Sequence, residues 1–160
     1  MAALVLAVFL LINEFPLAFD MKPVGPWCGP SVDVQLTVTN QSGRTLWLGV
    51  ERALLQGEPI SYSYTAPHGG GGSSSIGCGG PTLLQRVNSP RAVRLEPGQE
   101  LQWVTTLNDF PVSKAKSLRV SFPLAASPDR TQILRLMLES AYVNLQRDPR
   151  TGCLEPKRAS

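Results

Sequence analysis

One histidine stands among 160 residues, beside three cysteines, no C-x-x-C pair and no block of five like charges. Each scarcity removes a class of function. A structural zinc site draws four Cys or His ligands at short spacings, whereas the cysteines here sit far apart, at Cys28, Cys78 and Cys153. The H-E-x-x-H metalloprotease helix, the P-loop, the dinucleotide-binding glycine fingerprint and the EF-hand loop are all missing, so no metal and no cofactor is expected. The fifteen Lys and Arg residues give a net charge of +3 but are scattered. The loose group Arg86, Arg91 and Arg94 reads as solvated surface, and no nucleic-acid partner is expected.

No apolar run reaches the ~20 residues that a spanning helix needs. The longest, MAALVLAVFLLI, has twelve. That length suits the apolar region of a signal peptide, but no Lys or Arg precedes it and no A-x-A-like cleavage site follows. Three readings stand open: a degenerate or truncated signal, an uncleaved membrane anchor through residues 1–12, or a buried N-terminal strand. The first two place the remainder in the periplasm, the cell envelope or the medium. All three cysteines lie near Gly or Pro in expected loops, which suits one disulfide between two of Cys28, Cys78 and Cys153.

What is abundant is turn-forming residue, Gly and Pro at 14 each, over an apolar content of 42%. This is enough to build a core threaded by tight turns. In VDVQLTVTN, Val32, Val34, Leu36 and Val38 alternate with polar residues, the period of a half-buried strand. Asn40-Gln41-Ser42-Gly43 then turns the chain into TLWLGV, and the pair is expected to form a hairpin. Asn40-Gln41-Ser42 also matches a glycosylation sequon. EPISYSYTAP carries Ile60, Tyr62 and Tyr64 in register. RAVRLEPGQELQWVTTL is expected as a second hairpin-like unit, with Pro97 and Gly98 in type II turn positions. Its second strand presents Leu101, Trp103, Thr105 and Leu107 on one face. KSLRVSFPL alternates through Leu118, Val120, Phe122 and Leu124. QILRLMLESAYVNLQ fits a helix or a strand with a bulge near Ser140, and the hairpin-like loop ASPDRT before it favours strand.

The expected architecture is therefore all-β: an antiparallel sandwich of about seven strands over residues 20–146. An apolar signal- or anchor-like segment (1–19) precedes it, a Gly/Ser-rich loop (66–81) interrupts it, and a polar tail (147–160) follows. VDVQLTVTNQSGRTLWLGV together with LEPGQELQW resembles immunoglobulin-like and fibronectin-type domains of bacterial envelope proteins. The resemblance implies a fold and carries no site residues.

The string HGGGGSSSIGCGGP contains two fragments of catalytic motifs. HGGG supplies oxyanion-hole amides in α/β-hydrolases, but the G-x-S-x-G serine elbow is absent. GCGGP is similar to the nucleophile loop of chymotrypsin-like proteases, with Cys78 in the nucleophile position. Here Ile76 stands where that family has Gly, and His68 lies ten residues away across four glycines, too flexible a tether to hold a general base. The string is expected to be a surface excursion, with no catalytic residues. The expected function is a non-enzymatic, envelope-associated or secreted binding or assembly module with a protein partner. A protease-inhibitor-like or regulatory domain presenting the 66–81 loop to a protein target is the alternative, and a cysteine-dependent hydrolase using Cys78 a remote one. Trp47 and His68 are the candidate partner contacts, since Trp47 lies opposite the buried face of its strand.

Overall fold

The computed structural model describes residues 16–58, 60–75 and 83–157. Within them run eleven strands: β1 (Leu17–Val24), β2 (Val32–Asn40), β3 (Leu46–Glu51), β4 (Ser61–Thr65), β5 (Gly71–Ser75), β6 (Ala92–Leu95), β7 (Glu100–Leu107), β8 (Ser117–Ser127), β9 (Leu134–Glu139), β10 (Val143–Arg147) and β11 (Leu154–Pro156). A 3-10 turn (Arg52–Gly57) and one short helix, α1 (Leu83–Asn88), complete the list. The strands form a two-sheet, antiparallel β-sandwich.

The smaller sheet has the order β1-β2-β7. Its inner face is the alternation read from the sequence. Leu36 sits between Met21 of β1 and Trp103 of β7, and Val38 between Phe19 and Leu101. All of these except Phe19, which packs at the core margin, are buried. The larger sheet is organised by β8, which pairs with four strands. Along one edge it meets β4 at residues 117–121 and β3 at 126–127; along the other it meets β10 at 117–118 and β9 at 121–126. Leu118, Val120, Phe122, Leu124 and Ala126 of β8 face the core. Phe122 stacks on Phe19 and tilts against Trp103 across the gap between the sheets. At the other end of the sandwich Phe110 takes edge contacts from Trp27, Tyr62 and Tyr64.

Neither expected hairpin forms. β2 pairs with β1 and β7, while β3 pairs with β6 and β8. Residues 41–45 and 96–99 thus carry the chain from one sheet to the other, and both crossovers lie against Asn40. This side chain is fully buried. Its Nδ2 donates to the Arg44 carbonyl at 2.8 Å, inside the first crossover, and to the Leu95 carbonyl at 2.9 Å, at the end of β6 where the second begins. Its Oδ1 accepts the Ser42 amide at 2.9 Å. Its backbone N–H donates to Gln99 O and its carbonyl accepts the Gly98 amide. Every hydrogen-bonding position of one residue is therefore used to hold two sheet-to-sheet turns side by side. The sequon reading fails for the same reason: a nitrogen buried with both hydrogens committed is no acceptor for a glycan. The turn at 96–99 does have the expected form, with Gly98 at φ 76° and Gln99 N donating to Glu96 O at 3.0 Å.

Four further strands lie where the sequence suggested none, or one where there are two. β1 begins at Leu17, inside the segment assigned to 1–19; residues 1–15 lie outside the described residues. β5 occupies five of the fourteen residues of the glycine string, because Gly71 and Gly72 leave room for Tyr64. A Cβ on Gly71 would come within 2.1 Å of the Tyr64 carbonyl, and one on Gly72 within 2.8 Å of the Tyr64 ring. QILRLMLESAYVNLQ divides into β9 and β10 at Ser140. There the Ser140 amide donates to Val120 O and its hydroxyl accepts from Val120 N, so both strands stay on one edge of β8. The tail expected to be a polar end contains β11. That strand pairs with β10, bridges to Trp27 and is tied by a Cys28–Cys153 disulfide.

Replacing Asn40 should expose its role. Asn40→Ala strips the donor from the buried Leu95 carbonyl, leaves the Arg44 carbonyl to the Ser42 hydroxyl alone and removes the acceptor of the Ser42 amide, and should cost about 2–4 kcal/mol. Asn40→Asp keeps the shape but turns a carboxylate towards those carbonyls and should cost at least as much. Urea denaturation reads both; an Asp variant as stable as the parent would show that these bonds do not hold the crossovers.

Candidate functional site

The two side chains expected to contact a partner are not brought together. Trp47 pairs with Ser127 at one end of β8, whereas His68 projects from the β4–β5 hairpin, whose Thr65 pairs with Ser117 at the other end. Ten residues of extended strand separate those pairings, roughly 30 Å.

Trp47 points outward from β3, between inward-facing Leu46 and Leu48, and is half-buried. What covers it is cationic. The Arg130 guanidinium lies 3.5 Å from the ring centroid and that of Arg94, its cross-strand neighbour, at 5.8 Å. Arg94 is also paired with Glu96 at 2.6 Å, an exposed pair that adds little stability. The β8–β9 connection sets the Arg130 position. Asp129 accepts the backbone amides of Thr131 at 2.8 Å and Gln132 at 2.9 Å, and Arg130 adopts the left-handed φ of 64°. The donated bonds from Gln132 and Thr131 hold the Asp129 carboxyl at about 2, below its usual 3.8. With Arg130 laid over it, Trp47 is no open stacking platform. Its exposed neighbourhood is a basic patch on an aromatic base.

His68 sits exposed in the five-residue turn between β4 and β5. Ala66 N donates to Gly70 O at 3.1 Å, and Gly69 and Gly70 take φ of 84° and 82°. The motif HGGG is thus a hairpin tip followed by a strand. Gly71 and Gly72 sit in the ladder opposite Thr65 and Tyr64. Cys78 and the rest of GCGGP lie outside the described residues. Burial raises the Tyr62 phenol above its ordinary range, and its hydroxyl lies 3.2 Å from the Asp109 carbonyl.

The structure also assembles a site with no signal in the sequence. Glu58, nearly buried after the 3-10 turn, takes two contacts from Arg86 Nη2 of α1, at 2.7 and 2.9 Å. Arg86 was expected on solvated surface; its side chain is instead only 25% exposed. Ser89 donates to Glu51 at 2.8 Å beside them. These groups line a cleft of about 310 Å³ with Gly49 and Leu54. Gly49 is needed there, since a Cβ would stand 3.1 Å from that of Ala125 and 3.2 Å from that of Arg86. The pair ties α1, which packs on β3 and β8 of the large sheet, to the end of the 3-10 turn. Twenty-eight residues separate its members, and nothing in the local pattern links them. No group of three or more metal-ligating side chains occurs among the described residues.

No family model and no curated protein matches the chain. Several solved structures are similar at low identity. The X-ray structure of Northeast Structural Genomics Consortium target SoR45 is 11% identical with a TM-score of 0.38, over 78% of this chain and 84% of its own. A Bacteroides uniformis beta-glucuronidase 2 is 10% identical with a TM-score of 0.31, 82% of this chain lying on 14% of that enzyme. The C-terminal domain of wzt is 9% identical with a TM-score of 0.33, over 91% of this chain and 75% of its own. Likenesses at these values assign no family.

The Asp129 turn gives a pH test. A carboxyl held below its unfolded value stabilises the turn fully above about pH 4, and that contribution is lost as pH falls through about 2. A carbon-detected NMR titration should place the Asp129 midpoint at about 2, and the Trp47 indole signal should shift with it as Arg130 is released. An Asp129 midpoint at the ordinary 3.8 would mean the turn does not hold its carboxylate, nor position Arg130.

Proposed function

We propose that this chain is a non-enzymatic binding or assembly module of immunoglobulin-like type that works outside the cytoplasm on a protein partner. The observation that carries the reading is the Cys28–Cys153 disulfide, which joins residues 125 apart in sequence. It clamps the loop after β1 to the last strand, next to the backbone pair between Trp27 and Leu154. A crosslink that closes nearly the whole domain is typical of chains that fold in an oxidising compartment and must stay folded there. The apolar run at residues 1–12 adds to this reading as a signal or membrane attachment. No described helix is long and apolar enough to cross a membrane.

The β4–β5 hairpin favours a second reading, in which the 66–81 segment is presented to a protein target. Its tip carries an exposed histidine on a turn that two left-handed glycines keep tight. A binding partner that reads this tip would be lost on His68→Ala, whereas one that docks on a strand edge would not.

Fractionation of cells expressing the full chain tests the compartment. The protein should appear outside the cytosol with one alkylatable thiol of its three cysteines, and peptide mapping should link Cys28 to Cys153. Cys28→Ser or Cys153→Ser should each lower stability by about 2–5 kcal/mol. Recovery from the cytosol with all three thiols reduced would overturn the reading.

A further inference from the structure

β9 presents an open strand edge: among the described residues it pairs with β8 alone. The other edges are guarded. β1 carries Lys22 and Pro23. β7 has an outward row of Glu100, Gln102, Val104 and Thr106, with the 3-10 turn packed beside it. β6 and β11 are only four and three residues long, and β5 is glycine and serine throughout. Short length, Lys, Pro and outward charge are the ordinary defences of a sheet edge. β9, LRLMLE, has six residues and no Pro, Lys or Gly, and its outward charges, Arg135 and Glu139, are of opposite sign, so they do not repel a second antiparallel copy.

Its inner face is apolar, and its outer face carries Met137 between Arg135 and Glu139. On the inner face Leu138 is buried, Leu136 half-buried and Leu134 39% exposed, so cover from the smaller sheet runs out along the strand. On the outer face Met137 is 58% exposed. Beside it Pro123, Leu124 and Leu136 line a shallow, mostly apolar hollow with Arg135 and Met137. Leu134 and Met137 are two of six large hydrophobic side chains exposed among the described residues.

We propose that the β9 edge is an interface with a second copy of this chain, formed by antiparallel β9–β9 pairing with Met137 on the two-fold axis. The strand is complementary to itself in that register. Residues whose numbers sum to 274 stand opposite one another, so Arg135 faces Glu139 of the second copy, and Glu139 faces its Arg135. Met137 meets Met137, and Leu136 meets Leu138, all on matching faces. Glu139 already accepts from Arg119 through Oε2 at 3.2 Å, while Oε1 has only a 3.5 Å contact from Ser121 and remains open to the second Arg135. The pairing joins two large sheets into one and covers the apolar edge, as an isologous dimer requires. It deepens the assembly reading by naming one partner but stands on the strand edge alone. A monomeric protein found outside the cytoplasm would sink this inference and leave the assembly reading intact.

The test is the oligomeric state of the 160-residue chain by sedimentation, with Cys78→Ser as background. The parent should be a dimer, and Met137→Cys should crosslink to itself on mild oxidation, because only this register places residue 137 opposite its own copy. Arg135→Glu alone and Glu139→Arg alone each set like charges opposite across both pairs and should weaken dimerisation at least about tenfold. Mixing the two variants restores both opposite-charge pairs and should recover the dimer, a result no misfolded variant could give. A monomeric parent overturns the proposal, as does a dimer indifferent to Arg135→Glu that fails to crosslink at 137. A parent that dimerises only after removal of residues 1–15 would assign the edge to the chain's own N-terminus, and also overturns it.

Discussion

The buried carboxamide of Asn40 is the constraint on which the arrangement of the two sheets depends. It ends β2 in one sheet, and its Nδ2 reaches carbonyls at Arg44, just before β3, and at Leu95, the end of β6, both in the other sheet. Its backbone amide and carbonyl are taken by Gln99 and Gly98, just before β7. Four strand ends therefore converge on one residue. A buried backbone carbonyl without a donor is costly; the carboxamide serves the one at Leu95 and shares the Arg44 carbonyl with the Ser42 hydroxyl, while its Oδ1 accepts the Ser42 amide. With the corner set in this way, alternating residues of β2 and β7 meet those of β3, β6 and β8 face to face, and the core fills between them.

β8 distributes that order across the larger sheet. Its eleven residues form one continuous surface on which β3, β4, β9 and β10 each occupy part of an edge. The strand is long enough that its two ends carry different chemistry. One end has the Trp47 ring under Arg130 and Arg94; the other has the Phe110 aromatic cluster, the β4–β5 tip and the disulfide-tied β11. The arginine-covered Trp47 ring and the His68 tip lie roughly 30 Å apart, too far to meet around one small ligand.

The alternation of VDVQLTVTN, ELQWVTTL and SLRVSFPL made the strands, their buried faces and the sandwich class readable directly. Pairing was not readable in the same way. A polar turn between two alternating segments looks the same whether the second segment lies beside the first or crosses to the opposite sheet, because both place alternate residues on one core. The difference resides in what Asn40 bonds to, fifty-five residues away at Leu95. The glycines of β5 read as loop because their role is set by the Tyr64 ring on a neighbouring strand. β11 went unread because three residues of strand, held by a disulfide, carry no periodicity. β1 did leave a trace, in the spacing of Leu17, Phe19 and Met21, masked by the apolar run before it. Of the two candidate contacts, the outward aspect of Trp47 was legible from its phase in TLWLGV. Its cover of arginines was not, since Arg130 comes from a turn eighty-three residues on.

A corner held by Asn40 requires its carboxamide to be locked in the folded protein. Hydrogen exchange of its two Nδ2 protons, followed by NMR, measures this directly. Protons committed to buried carbonyls exchange only when the surrounding structure opens. They should therefore exchange as slowly as the Leu36 backbone amide at the centre of β2. Exchange as fast as that of the exposed Asn108 carboxamide would contradict a corner held by this side chain.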